Sequence, residues 1–327
     1  MKDFKHVNVS SVNEAVEILR DNKEGSRIIA GGTDLLGVLK DHILPNYPEL
    51  LINVKTIPGL DRIEENGSGL QIGSLVKLTN LVKSSLVKEK YTSLAQAAHS
   101  IANPQIRNMG TVGGNLAQDT RCWYYRYPHS IGGQLLCPRK GEGPCLAVKG
   151  DNRYHAIFGG KGCFAVCPSD TATALLLLNG EVETVGVNGK RSIPLQNFFT
   201  PLGNVLELGE MITHINVPEP PKNTAQHFMK YTLRGAIDFA VVSAAVLAVV
   251  EEDYCTEARL VLGAVAPGPL RAVQAEGFLK GKELNNRNMK EASELAVKGA
   301  KPLSMNAYKI EIAKSLVAKS LAEMVNN

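Results

Sequence analysis

The chain has 327 residues, of which 44% are hydrophobic and 21% are charged. Its 36 basic and 32 acidic residues leave a net charge of +4. This composition is typical of a globular protein with two or three domains, and it argues against an extended nucleic-acid-binding surface. The apolar run without charged residues at 239–250 is too short for a membrane span, and the first ten residues lack a signal-peptide core. We therefore expect a cytoplasmic protein without a membrane span.

The first hundred residues predict short strands alternating with helices. Apolar residues at helical spacing predict a helix over 12–19, and the strand 27–30 follows it. This strand runs into the turn Ala30-Gly31-Gly32-Thr33-Asp34. The next predicted elements are a strand at 50–54, a strand at 70–73, a helix at 75–86 capped by Ser74, and a packed helix at 91–102 that ends before Pro104.

The second half predicts a change of architecture. Residues 171–178 read as a buried helix or strand, and 181–187 as an alternating strand. After a proline-rich linker at 218–221, the predicted elements are strands at 228–233 and 258–266, an apolar element at 238–250, and helices at 274–279, 288–297 and 307–324. Strands followed by helices indicate a C-terminal α+β domain of about 100 residues.

Five of the six cysteines lie close together in a segment rich in glycine and aromatic residues. They are Cys122, Cys137, Cys145, Cys163 and Cys167. In a reducing compartment such clustering favours metal or redox chemistry over disulfides. The spacing lacks the C-x2-C pairs of a structural zinc site and the compact ferredoxin run. Widely spaced thiolates on one loop still suit an iron-sulfur cluster, which needs four ligands and leaves one cysteine spare; the alternative is a set of buried or loop thiols without metal.

Other side chains near the cysteines leave two interpretations open. His99, His129 and His155 each stand alone in their segments, which favours hydrogen-bonded side chains over metal ligands. The aromatic residues 123–125 and Tyr127 crowd the first cysteine, where they would either shield a cluster from water or pack the loop. The remaining cysteine, Cys255, is predicted to be an ordinary strand residue.

Two glycine turns carry the second chemical signal. Gly31 and Gly32 would let the backbone approach a ligand, and Thr33 and Asp34 would cap the next helix, leaving N–H groups aimed at an anion. A similar turn spans residues 111–115. Neither turn matches the Rossmann or the P-loop pattern. One such turn alone is often without a ligand, but two favour a pyrophosphate cradle.

In this order, the motifs resemble those of the FAD-binding medium subunit of the molybdenum hydroxylases, the xanthine dehydrogenase and carbon monoxide dehydrogenase family. The matching segments are 29–35, 106–116, 168–170, 230–234, 238–240 and 262–267. The resemblance implies an α+β fold: a two-part PCMH-type FAD-binding domain over 1–220, with subdomains at about 1–55 and 56–220, then a CO dehydrogenase flavoprotein-type α+β domain over 221–327.

The resemblance also implies which residues contact FAD. They are Ile29, Ala30, Gly31, Gly32, Thr33, Asp34, Leu35, Asn108, Thr111, Gly113, Gly114, Asn115, Asp119, Asp170 and Lys230. From the residues alone, Lys230 and Arg234 would face either a flavin or an interface, or lie on a solvated strand edge.

Most members of the family lack the segment that carries the cysteines. An insertion at about 118–165 is similar to that in the β subunit of 4-hydroxybenzoyl-CoA reductase, where four cysteines hold an additional 4Fe-4S cluster. The resemblance implies Cys122, Cys137, Cys145 and Cys163 as ligands and Cys167 as the spare. Residues 149–162 form a longer stretch than we expect for that reductase, so its substrate does not carry over.

The resemblance implies an electron-transfer subunit of a hetero-oligomer, such as a dimer of heterotrimers. Its partners would be a 2Fe-2S subunit, a large molybdenum-cofactor subunit and an external electron carrier such as ferredoxin. No nucleic-acid partner is expected. Two alternatives stay open: a docking module organised by zinc in the cysteine loop, and a stand-alone flavin oxidase.

Overall fold

The described part of the chain forms three larger sheets and one two-stranded sheet, with helices between and around them. The computed structural model describes residues 1–22, 24–133, 135–235 and 237–325. Its helices are α1 (Val12–Asp21), α2 (Leu35–Lys40), α3 (Leu78–Lys83), α4 (Ser85–Lys90), α5 (Thr92–His99), α6 (Pro104–Arg107), α7 (Val112–Ala117), α8 (His129–Gly132), α9 (Asp170–Leu177), α10 (Val273–Leu279), α11 (Asn286–Ala296) and α12 (Tyr308–Val325). Its strands are β1 (Lys5–Asn8), β2 (Ser26–Ile29), β3 (Leu50–Asn53), β4 (Ile63–Asn66), β5 (Gly69–Gly73), β6 (Glu181–Gly186), β7 (Gly189–Pro194), β8 (Phe199–Thr200), β9 (Gly203–Asn204), β10 (Met211–Pro218), β11 (Thr224–Tyr231), β12 (Val242–Glu251), β13 (Tyr254–Gly263), β14 (Leu270–Arg271) and β15 (Lys282–Glu283).

The first sheet is parallel, in the order β1-β3-β2. Helix α1 buries Ala15, Val16 and Leu19 in a core that also contains Ile52 of β3. The side chain of Ser11 caps α1 by accepting a hydrogen bond from the Glu14 N–H at 3.1 Å. Strand β2 then ends directly at the first glycine turn, which leads into α2. The predicted helix, strand and turn of this unit are confirmed.

The second sheet is antiparallel, in the order β4-β5-β10-β6-β7. It shares one apolar core with α3, α5 and α9. All eight residues of α9 are buried, so the helix has no solvent face to show as a period in the sequence. This explains why the sequence left helix and strand open for this segment.

The third sheet is antiparallel, in the order β11-β12-β13-β14, with β15 beside β13. Successive residues of β12 alternate between two cores. Ala245 and Leu247 pack toward the FAD-binding half with α5 and α9, whereas Ala244 and Val246 pack toward α10, α11 and α12. Because both faces are buried, the strand is apolar from Ala244 to Val249 and shows no alternation there.

The helix predicted at 75–86 is wrong at its start. Ser74 does not cap it, because the chain stays extended: the Leu75 N–H donates to the Leu60 carbonyl at 2.8 Å, and the Val76 carbonyl accepts from Val112 at 2.9 Å. The helical part begins at Leu78 and breaks at Ser84, which caps α4 instead. Residues 74–77 thereby hold the second glycine turn against the sheet.

Within the described residues, no helix is both long enough and apolar enough to cross a bilayer.

Candidate functional site

The two glycine turns meet at a cavity of about 750 Å³. All but one of the predicted FAD-contacting residues line it: Ile29, Ala30, Gly31, Gly32, Thr33, Asp34, Leu35, Thr111, Gly113, Gly114, Asn115, Asp119, Asp170 and Lys230. The exception is Asn108, which ends α6 and donates its N–H to the Pro104 carbonyl at 2.8 Å. The lining therefore draws on the parallel sheet, α7, α9 and β11 together.

Gly31 allows the two turns to touch. A Cβ atom at this position would lie 2.2 Å from the Met109 carbonyl oxygen and 2.8 Å from its carbon. Gly32 has a φ of +70°, which favours glycine. The sequence predicted that this glycine pair admits a ligand, but at Gly31 the backbone that comes close is that of the second turn.

The second turn is held by hydroxyl groups. The Thr111 side chain caps α7 by accepting from the Gly114 N–H at 3.2 Å. The Asn115 Oδ1 accepts from the Ser169 hydroxyl at 2.7 Å and from the Thr171 hydroxyl at 2.6 Å. The amide of Asn115 is thus fixed by the segment that begins α9, with its oxygen already occupied.

Asp34 does not cap α2, contrary to the sequence expectation. Its Oδ1 lies 2.9 Å from Arg121 Nη2 and 2.7 Å from Arg126 Nη2, and its Oδ2 accepts from the Asp119 N–H at 2.8 Å. The carboxylate therefore faces the segment after α7 rather than the helix amides, because two guanidinium groups and an N–H satisfy it there.

Asp119 extends this contact toward the cysteines. Its carboxylate accepts a hydrogen bond from the Tyr125 hydroxyl and lies 3.3 Å from Arg139 Nη1. Burial raises the pKa of Tyr125, and the Asp119 carboxylate adds to the shift. We call Asp34, Asp119, Arg121, Arg126, Arg139 and Tyr125 the carboxylate–arginine network. It joins the first glycine turn to the insertion.

Sequence reasoning missed the three arginines of this network. Their signal was present, since Arg121, Arg126 and Arg139 follow Asp119 within one short segment. Arg121 also lies over the Phe239 ring, with the guanidinium carbon 4.5 Å from the ring centroid. Both Arg121 and Phe239 line the cavity, so this contact brings the insertion against the C-terminal half of the chain.

A buried ion pair forms another wall of the cavity. The Lys230 ammonium lies 2.7 Å from Asp170 Oδ2, each side chain is 7% exposed, and Lys230 also donates to the Ser100 carbonyl at 3.0 Å. Burial raises the pKa of Asp170, and the ammonium opposes that shift. Of the two alternatives for this strand, Lys230 faces the cavity, whereas Arg234 is 81% exposed and pairs with Asp238.

Two of the predicted cysteine ligands, Cys122 and Cys137, pack in the same part of the insertion. Cys122 packs against the small apolar cluster that contains Cys137 and Tyr125. Burial raises the pKa of Cys122 to about 11, and the nearby thiols of Cys163 and Cys145 contribute to this increase. All of these are free thiols.

Cys167 stands apart in the main core. Burial raises its pKa to about 12, and the charged groups that act on it are Asp170 and Arg139. Its N–H donates to the Ala266 carbonyl at 3.1 Å. Cys255 is a buried residue of β13, as predicted.

His155 contacts the first cysteine. Its Nε2 lies 3.2 Å from Cys122 Sγ, and its Nδ1 is buried without a hydrogen-bond partner. Burial, followed by the charge of Lys309, lowers its pKa to about 4, so the ring is neutral at pH 7. Trp123 and Tyr124 pack against this ring, with centroids 5.8 and 6.0 Å away. These aromatic residues therefore pack the loop around His155 and Cys122.

The insertion is also docked on the C-terminal helix. The Lys309 ammonium, fully buried, donates to the carbonyls of His155 at 3.0 Å and Ala264 at 2.6 Å. The Asn306 side chain donates to His155 and Ala156 carbonyls at 3.1 and 3.2 Å. Burial lowers the pKa of Lys309 to about 7. These contacts place the cysteine loop between the cavity and α12.

Two family models cover most of the chain. The FAD binding domain in molybdopterin dehydrogenase matches residues 2–220, and the CO dehydrogenase flavoprotein C-terminal domain matches residues 227–324. The chain belongs to this family of FAD-binding subunits. The flavoprotein subunit is 35% identical to the aldehyde oxidoreductase FAD-binding subunit PaoB of Escherichia coli K12, across 99% of this chain and 98% of the relative. It is 28% identical to the carbon monoxide dehydrogenase medium chain of Hydrogenophaga pseudoflava, across 97% and 96%.

A solved structure of carbon monoxide dehydrogenase from H. pseudoflava has the same fold. It superposes with a TM-score of 0.80 at 26% identity, over 99% of this chain and 98% of the other. The predicted fold class is therefore confirmed, and so is the prediction of an oxidoreductase subunit. The flavoprotein subunit is an FAD-binding member of the molybdenum hydroxylase family.

Proposed function

We propose that this chain is the electron-transfer subunit of a multi-subunit molybdenum hydroxylase or reductase. In this proposal it passes electrons between FAD, a 4Fe-4S cluster held by the insertion, and partner subunits with 2Fe-2S clusters and the molybdenum cofactor. The observation that carries the proposal is the carboxylate–arginine network, because it joins the wall of the FAD cavity directly to the cysteine loop. A separate docking module would not need this connection.

The cavity suits an extended anionic cofactor. The Nε atoms of Arg121 and Arg139 are buried and have no partner, and both side chains line the cavity. Since the oxygen of Asn115 is occupied, its NH2 group is the polar end left for a bound group. These donors, with the amides of the two glycine turns, would hold the pyrophosphate of FAD. Bound FAD would supply the conversion between two-electron and one-electron chemistry.

The described part of the cysteine loop is not arranged as a site for a single metal ion. Among the described side chains, no group of three or more His, Cys, Asp or Glu residues is positioned to hold one metal ion. A 4Fe-4S cluster binds each thiolate to a different iron, so its ligands stand farther apart than the ligands of one ion. His155 Nε2 beside Cys122 Sγ supports a thiolate at that position, because a ligated thiolate accepts a hydrogen bond and a neutral imidazole supplies one.

We infer that the ligands are Cys122, Cys137, Cys145 and Cys163, with Cys167 as the spare. The packing of Cys122 in one apolar cluster with Cys137 supports this choice. Cys167 lies instead near Asp170 and packs in the main core, where it lines the FAD cavity. This ligand set makes the chain similar to the 4-hydroxybenzoyl-CoA reductase type of subunit.

The loop leaves one edge of this site near solvent. Cys145 is half-buried and follows the exposed residues 141–144, whereas Cys137 and Cys163 are buried. We propose that an external electron carrier such as ferredoxin exchanges electrons at this edge. Thiolate ligation at a partly exposed site allows strongly negative potentials. A cytoplasmic location and a hetero-oligomer with 2Fe-2S and molybdenum subunits belong to the same proposal.

Metal and sulfide analysis tests the cluster. The full chain is purified and reconstituted anaerobically, and iron, zinc, acid-labile sulfide and flavin are measured per chain. We expect about four irons with matching sulfide, alongside FAD. Cys163→Ser should lose iron, whereas the matched variant Cys167→Ser should keep it.

Three results would contradict the proposal in different ways. FAD without iron or sulfide would remove the cluster and leave the flavin site. One zinc without sulfide would favour the docking module. If Cys167→Ser loses iron and Cys163→Ser keeps it, Cys167 is the fourth ligand and Cys163 is the spare. Co-purification from the native source tests the 2Fe-2S and molybdenum partners separately.

A further inference from the structure

Lys140 is a buried lysine without a hydrogen-bond acceptor. It ends the short 3-10 helix Pro138–Lys140, and its N–H donates to the Cys137 carbonyl at 2.8 Å. The residue is 8% exposed, and its Nζ is buried with no hydrogen-bond partner. The ring of Tyr125 lies beside it, 5.6 Å from Nζ to the centroid.

Such an ammonium is costly unless an anion lies next to it. Other buried lysines of the described chain show how this cost is met. Lys230 pairs with Asp170 at 2.7 Å, and Lys309 donates to two carbonyls within 3.0 Å. An aromatic face offers Lys140 less than either arrangement, since it accepts no conventional hydrogen bond. Lys140 therefore needs an anionic partner from the proposed site itself.

Lys140 lies beside two of the proposed ligands. Its N–H bonds to the Cys137 carbonyl, and the Tyr125 ring next to its Nζ packs in one apolar cluster with Cys137 and Cys122. Burial lowers the pKa of Lys140, whereas the charges of Cys137 and then Cys122 would raise it. Both are ligands in the proposed site. A 4Fe-4S cluster held by four thiolates is an anion, and it gains one more negative charge when it is reduced. Lys140 therefore lies next to a proposed cluster whose negative charge increases by one on reduction.

Neighbouring basic groups have other partners. Arg139 Nη1 lies 3.3 Å from Asp119, and its Nη2 donates to the Pro201 carbonyl at 3.3 Å. His155 Nε2 already lies 3.2 Å from Cys122 Sγ. Of these basic groups, Lys140 is the one that bonds to Cys137 through its N–H, lies against Tyr125 and leaves its Nζ buried without a hydrogen-bond partner.

We propose that the Lys140 ammonium is the buried counter-charge of the cysteine-bound cluster and that it raises the cluster's reduction potential. The inference rests on the cluster proposed above. A positive charge fixed nearby stabilises the reduced form more than the oxidised form, because the reduced form carries the extra electron. Lys140 acts here as a positioning and tuning residue, and no iron is bonded to it.

The test is a redox titration of the full chain, followed by electron paramagnetic resonance, with iron measured on the same samples. Lys140→Met removes the charge at similar length, and Lys140→Arg keeps it. Lys149→Met changes an exposed lysine of the same insertion and is the matched control. We expect Lys140→Met to keep its iron while its equilibrium constant for cluster reduction falls at least tenfold. A tenfold fall corresponds to about 59 mV for one electron.

Lys140→Arg and Lys149→Met should titrate like the unaltered chain. If Lys140→Met keeps its iron and its potential is unchanged, the counter-charge is refuted while the cluster stands. If Lys140→Met loses its iron, the Lys140→Arg variant distinguishes the two explanations. Iron retained by Lys140→Arg at the original potential supports the need for a positive charge at this position. Loss of iron from Lys140→Arg overturns the proposal. If the unaltered chain holds neither iron nor sulfide, the cluster itself fails and the inference fails with it.

Discussion

Replacing Gly31 by alanine should separate the two glycine turns. The new Cβ would stand 2.2 Å from the Met109 carbonyl oxygen, roughly 1 Å short of ordinary contact. The Met109 atoms that it would meet belong to the backbone, so rotation of a side chain does not relieve the clash. Overpacking of this kind costs about 1–3 kcal/mol. If the turns separate, their amides no longer point at one anion. The Kd for FAD should then rise by about 5- to 150-fold.

Gly37→Ala is the matched control. Gly37 lies in α2, only six residues later, and an added Cβ would meet nothing within 4 Å. Alanine in a helix interior should stabilise the fold by about 0.5–1 kcal/mol, with FAD affinity unchanged. The assay is FAD titration by flavin fluorescence, together with urea unfolding of the apo chain. If Gly31→Ala matches the unaltered chain in both FAD affinity and unfolding free energy, the contact between the turns does not exist as described.

Two further predictions concern buried charges. Asp170→Asn leaves the Lys230 ammonium buried without its carboxylate, so the free energy of unfolding in urea should fall by about 3–5 kcal/mol. Asp238→Asn, which removes the partner of the exposed Arg234, should cost about 1 kcal/mol or less; equal losses in the two variants would contradict this assignment. Lys309 has a folded pKa of about 7 against 10.5 when unfolded, so the unfolded chain binds more protons between those values. Unfolding free energy should therefore rise with pH across that window, and Lys309→Met should remove part of this rise. Identical pH slopes in the two proteins would contradict the lowered pKa of Lys309.

The sequence predicted the glycine turns because their requirement is local. A residue with φ of +70°, as at Gly32, excludes most side chains whatever surrounds it. The partner of such a turn is not local. The contact of Gly31 with Met109 joins positions far apart in the chain, and the residues next to Gly31 do not predict it. The turn could be predicted, but the reason for its glycine could not.

Two elements are buried on all sides, and for these the sequence does not distinguish helix from strand. Residues 171–178 and 238–250 lack a period because α9 is wholly buried and β12 lies between two cores. An apolar period in the sequence arises where one face of an element is buried and the other is in solvent. An element that is buried on all sides therefore shows no such period. The third sheet was nevertheless predictable in outline, because the flanking helices α11 and α12 keep a solvent face.

The insertion is tied down at two places by groups of different chemistry. On one side, Asp34 of the first glycine turn is held by Arg126 and the Asp119 N–H; on the other, the His155 carbonyl is held by Lys309 and Asn306. Both attachments are at least partly buried and charge-assisted, which makes them stronger than exposed contacts of equal number. A loop held this way keeps its cysteines at a fixed separation from the FAD cavity. A fixed separation between the cysteines and the FAD cavity is what the electron exchange proposed between FAD and the cluster would need.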